Sequence, residues 1–144
     1  MAAEEKIDMA LIKNNLRKGH VAILEDLDEI QAKARAYAQV KPKLQALQGK
    51  LLAHFGQQNK IFFARLTENF AENRPKAKKV EFLEVDLKDI KIKTLLFFDE
   101  FPADMSDIHP VNFPKRFMDF AQALIARIGM EENYLIPLLE ETLA

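Results

Sequence analysis

Five polar residues stand where apolar ones are expected: His20, His54, Gln58, Arg127 and Glu131. His54 and Gln58 are spaced i, i+4, as are Arg127 and Glu131, so on a helix each pair shares one face. Two imidazoles and a carboxylate are the donor types that hold a divalent ion. An amide and a guanidinium bring hydrogen bonds instead. Burying such groups costs free energy unless they are paired. Two uses are open to them. Facing helices of a bundle can build a metal or ligand site from such side chains, or the five can form a satisfied hydrogen-bond network that fixes helix register. A third reading sends the long Arg127 side chain out to solvent and away from the cluster.

The elements that must position these groups are legible as apolar seams. A helix is expected over residues 8–40, with Asp8 as its N-cap. Its seam runs Leu16, His20, Ile23, Leu27, Ile30, Ala34, Tyr37, in alternating steps of four and three. Lys33 and Arg35 near its end suit the helix dipole, and Pro42 marks the turn. A second helix is expected over residues 42–73 with the seam Leu44, Leu47, Leu51, His54, Gln58, Ile61. Pro75, within ENRPKAKK, closes it and opens a basic connector. Residues 80–92 alternate in a way that suits a strand, yet Leu83, Leu87, Ile90 and Thr94 also suit a helix, and the third helix is placed at 86–101. PADMSDIHPVNFP reads as a loop. The fourth helix starts at Asn112 or Phe113 and runs to Leu143, with Phe113, Phe117, Phe120, Leu124, Arg127, Glu131, Tyr134 and Leu138 facing inward. Long helices with short connectors predict one all-α domain over residues 1–144, an antiparallel up-and-down four-helix bundle.

Other chemistry is excluded or weak. The chain has 144 residues, of which 49% are hydrophobic and 30% charged, as in a globular domain. It contains no cysteine, so disulfides, zinc–thiolate sites and Cys nucleophiles are ruled out. Its 4 glycines are never adjacent and form no phosphate-cradling loop. Ser106 is the only serine. Its neighbours Asp107 and His109 put triad residue types side by side, but triads are assembled from distant positions, and these residues read as loop-shaping. A net charge of −1 gives no field for nucleic acid. Arg74, Lys76, Lys78 and Lys79 read as a solvated connector. No apolar run approaches the ~18 residues of a membrane span, and the N-terminus has no signal-peptide core. A cytoplasmic protein without nucleic-acid or membrane partners is expected.

The segments LRKGHVAIL around His20, HFGQQNKIFFARL from His54 and RIGMEENYLIPLLEETL from Arg127 resemble the hemerythrin-like (HHE) family. The resemblance implies a four-helix bundle holding two irons. The family carries a His on the first helix, HxxxE on the second, usually a His on the third, and HxxxE on the fourth. Carried over by position, His20, His54 and Glu131 match metal ligands. Gln58 stands where the family has a ligating Glu, and Arg127 where it has a ligating His. The expected third helix has no histidine; Asp99 and Glu100 are its nearby acids. A neutral amide is a poor bridging ligand, and a guanidinium brings positive charge where cations belong. The expectation is a metal-free core in which Arg127 pairs with Glu131, the alternative being a residual mononuclear iron. ALIARIGMEENYLI, with FFDEF and KIFFARL, also resembles the Rsd/AlgQ family, helical bundles that bind a sigma factor, although that family's AGHF segment is absent.

With the metal ligands eroded, the expected function is a non-enzymatic regulatory or interaction module. Oxygen or nitric oxide handling by a metal-loaded bundle, and sigma-factor binding, are the alternatives. Leu95, Leu96, Phe97, Phe98 and Phe101 exceed what one narrow seam needs. A homodimer or protein partner docking near Phe98 and Phe101 is therefore expected.

Overall fold

A computed structural model describes residues 8–102 and 111–143. The elements are α1 (Met9–Ala32), α2 (Tyr37–Gly56), α3 (Lys60–Asn69), α4 (Arg74–Glu100), α5 (Phe113–Met130), a π-helical turn (Glu131–Leu135) and α6 (Ile136–Leu143). No strand occurs among the described residues. The four arms of the bundle are α1, the broken rod α2–α3, α4, and the rod running from α5 through the π turn into α6. Residues 105–109, including Ser106, Asp107 and His109, lie outside the described residues.

The helix starts are chemically marked. Asp8 accepts a hydrogen bond from the Leu11 amide at 3.0 Å, Asn59 from Phe62 at 2.9 Å and Asn73 from Lys76 at 3.2 Å. Each satisfies an otherwise orphaned first-turn donor. Pro75 follows Asn73 in the first turn of α4, where a missing N–H costs nothing. The start of α4 corrects the expected boundary at residue 86: residues 80–92 are helical throughout. Their inward residues Val80, Leu83, Leu87, Ile90, Thr94 and Phe97 alternate by three and four, which a strand cannot bury on one face.

Two other boundaries differ from expectation. The first helix stops at Ala32, and the chain turns over residues 33–35 before α2 begins at Tyr37. Pro42 lies inside α2, not at the turn. Being near the helix start, it forfeits only the hydrogen bond to the Ala38 carbonyl. The second arm breaks at residues 57–59, and the break rotates the buried face of α3 by one residue. Ile61 is 42% exposed while Phe62 and Leu66 are fully buried.

The core runs the length of the bundle and ends in an aromatic cluster. Phe97 stacks on Phe120 with ring centroids 4.3 Å apart and 7° between planes. Phe101 and Phe117 pack at 5.2 and 5.9 Å from Phe97, and Phe98 meets Phe120 at 5.8 Å. Phe98 and Phe101 are thus core residues, 7% and 2% exposed, and not the surface anchors expected of them. The surplus apolar residues that do face outward here are Leu95 and Leu96.

A candidate metal centre rebuilt as a buried polar cluster

All five polar seam residues are buried and meet in one layer. None exceeds 3% exposure, and Glu131 is fully enclosed. Glu131 is the hub. Its Oε1 lies 2.7 Å from His20 Nε2 and 2.7 Å from His54 Nε2. Its Oε2 accepts from Arg127 Nε at 2.8 Å and from the Gln58 amide at 3.1 Å. An ionised carboxylate can only accept, so both imidazoles donate from Nε2. Neither Nδ1 has a hydrogen-bond partner.

Arg127 spans the cluster. Its remaining nitrogens donate to the Gln58 side-chain oxygen at 2.7 Å, the Leu83 carbonyl at 2.9 Å and Asp86 Oδ2 at 3.1 Å. The guanidinium does not escape to solvent. It is a buried cation compensated by Glu131 on one side and by the partly exposed Asp86 on the other. Such charge-assisted bonds are the strong ones. They show in the carboxylate. Burial pushes the Glu131 carboxyl up, but the hydrogen bonds from His20 and His54 and the charge of Arg127 outweigh it. The group is held far below the usual carboxylate range.

Backbone irregularities position the two sides of this cluster. Gln58 lies in the break between α2 and α3, not one turn beyond His54 on a continuous helix. Asn59, as N-cap of α3, fixes the chain immediately after it. On the opposite arm the π turn begins at Glu131, and the Ile136 amide bonds back to the Glu131 carbonyl. Pro137 explains the widening: its ring would collide with the Asn133 carbonyl in a regular helix, and it has no N–H to give. One extra residue in the turn moves the seam from Tyr134, which is 49% exposed, to the fully buried Leu135.

Three contributors were not legible as site residues. Asp86 and the Leu83 carbonyl come from α4, which has no histidine, yet supplies acceptors for Arg127. Gly19 makes room for His54: a Cβ there would stand 2.7 Å from the imidazole Nδ1. Only a glycine lets that ring lie against α1. Asp99 is exposed, and Glu100 binds Arg116 and Asn112 away from the site.

A family model for the hemerythrin HHE cation-binding domain matches residues 11–139. The chain belongs to that family. No curated protein and no solved structure gives a significant match.

The family's metal chemistry can be tested against these residues. His20, His54 and Glu131 each offer one donor atom, all within 4.8 Å of one another. A pair of irons needs more imidazoles and a bridging carboxylate. Glu131, the carboxylate at the hub, already accepts four hydrogen bonds, two on each oxygen. A metal-bound imidazole also needs its other ring nitrogen to donate to an acceptor, and His54 Nδ1 faces the α1 backbone at Gly19. The residues do not fit a two-metal centre. In donor type, the three ligand positions suit one divalent ion at most.

Proposed function

We propose that this hemerythrin-like bundle works without metal, as a non-enzymatic regulatory or protein-interaction module of the cytoplasm. The observation that carries the reading is the saturation of Glu131 by His20, His54, Gln58 and Arg127. The guanidinium contributes the positive charge that metal ions bring to such a layer, and it cannot dissociate. A closed, hydrogen-bonded core of this kind rigidifies a scaffold and offers no reacting atom to a substrate. Function then belongs to the outer surface. No described helix is long and apolar enough to cross a membrane, which agrees with a partner in solution. A sigma factor is one such partner, testable by pull-down with the purified protein.

The test is metal content. The chain produced with ample iron is expected to carry well under one iron per molecule. The double variant Gln58→Glu/Arg127→His, which returns a carboxylate and an imidazole to the layer, is expected to bind more. Stoichiometric iron in the unaltered chain would overturn the reading. It would favour a mononuclear ion on His20, His54 and Glu131 and a role in oxygen or nitric oxide handling. The 4.8 Å clustering of those three donors supports that second reading.

A further inference from the structure

We propose that the outward face of α4 is a self-association surface, on which a second copy of this chain packs its own α4 antiparallel. The helix is apolar on two opposite sides. Its inward seam enters the core. Its outward side carries Phe82, Val85, Ile92 and Leu96, exposed by 60, 59, 57 and 62%, with Leu95 beside them at 69%. With Asp89 between Val85 and Ile92, these positions are separated by steps of three, four, three and four. That spacing is a second helix-packing seam, left open by the described residues. Leu95 also lines a groove of about 350 Å³ between α2 and α4. The 64% exposed Leu52 stands on its other side, so the apolar surface extends beyond one helix. Monomeric proteins rarely leave such continuous patches open.

The flanking charges identify the occupant and its direction. In an antiparallel pair about a two-fold axis crossing α4 between Ile90 and Lys91, Val85 meets Leu96 of the second copy, and Asp89 meets its Ile92. Lys79 then faces Glu100 of the copy, and Asp86 faces its Lys93. Lys79 and Lys93 thus each meet an anion, symmetry repeats both pairs, and on the other flank Lys88 lies over Leu95 of the copy, like charge meeting nowhere. A parallel pair at the same seam would bring Glu81 against Asp86 and Lys88 against Lys93, like charge on like. The in-chain ties of these residues do not block the exchange. Lys93–Asp89 and Glu100–Arg116 are surface pairs, of little worth, and the Asp86 side chain stays 28% exposed while it holds Arg127. The inference is independent of whether the buried cluster binds metal.

Sedimentation equilibrium of the full chain should give twice the monomer mass of 16.6 kDa. Ile92→Glu should return it to a monomer with an unchanged helical circular dichroism spectrum, while Met118→Glu on the outer face of α5 should leave the dimer intact. Because the chain has no cysteine, Lys79→Cys/Glu100→Cys introduces the only thiols. On one helix these lie about 31 Å apart, beyond a short bis-maleimide. Peptide mapping after cross-linking should find 79 joined to 100 between chains. A monomeric unaltered chain at tens of micromolar, a dimer that survives Ile92→Glu, or links of 79 to 79 would each overturn the proposal.

Discussion

At the scale of single residues, Glu131 decides the stability of the site. It is the one anion buried among two imidazoles, an amide and a guanidinium. Removing it strands Arg127 as a buried cation with only Asp86 to face. Glu131→Ala should therefore cost about 3–5 kcal/mol in chemical denaturation, the usual penalty for breaking a buried pair from one side. A loss below about 1 kcal/mol would show that Arg127 reaches water instead. The acid response stems from the depressed carboxyl. The folded state keeps Glu131 ionised far below its ordinary value of 4.5, whereas the unfolded chain takes up the proton near that value. Its contribution is complete above the ordinary value and falls as the pH drops toward the folded value. The denaturant midpoint of the unaltered chain should exceed that of Glu131→Gln while the pH stays above about 4.5. They should converge as the pH is lowered further, and a gap that widens in acid would contradict the assignment.

At the scale of the elements, the site depends on two interruptions. The break at residues 57–59 turns Gln58 inward and hands the seam from Leu51 and His54 to Phe62 and Leu66. The π turn does the same on the facing arm, handing it from Arg127 and Glu131 to Leu135. Irregular turns of this kind recur at functional sites because they aim side chains that a regular helix would not. Asn59 anchors the first interruption by accepting from the Phe62 amide. Asn59→Ala should cost about 1 kcal/mol of unfolding free energy, since it strands that amide at the start of a short helix. Asn59→Asp should restore most of it, because an ionised carboxylate accepts the same bond. A loss that Asp fails to recover would assign Asn59 a role other than the cap.

Across the whole molecule, polar and aromatic layers divide the labour. The polar layer lies within the bundle, and the phenylalanines at the α4–α5 end pack those two arms, joined through residues 101–112, against each other. Phe97 lies at the centre, within 6.3 Å of the rings of five other phenylalanines. Phe97→Ala should destabilise the fold by about 3–5 kcal/mol, since the neighbours cannot collapse into the space without losing their own contacts. Thermal and denaturant unfolding should remain a single transition by far-ultraviolet and near-ultraviolet signals, because every arm contributes to one core. Separate midpoints would mean that the aromatic end folds apart from the polar layer.

The sequence alone determined the architecture and the membership of the polar cluster. Apolar residues at three-and-four spacing favour helices facing one core, and the polar residues on those seams are thereby brought toward one layer. His20, His54, Gln58, Arg127 and Glu131 were therefore identifiable before any coordinate, as was the family resemblance that the match over residues 11–139 bears out. Tertiary structure decided the rest. Whether Arg127 turned inward depended on acceptors from α4, Asp86 and the Leu83 carbonyl, that share no sequence pattern with it. The inward places of Phe62 and Leu135, in preference to Ile61 and Tyr134, came from one-residue shifts at a helix break and a π turn, which a periodic reading passes over. The fates of Phe98 and Leu95 could not be separated by composition. Both are large and apolar on the same helix, and only the direction from which α5 packs buries one and leaves the other on the surface.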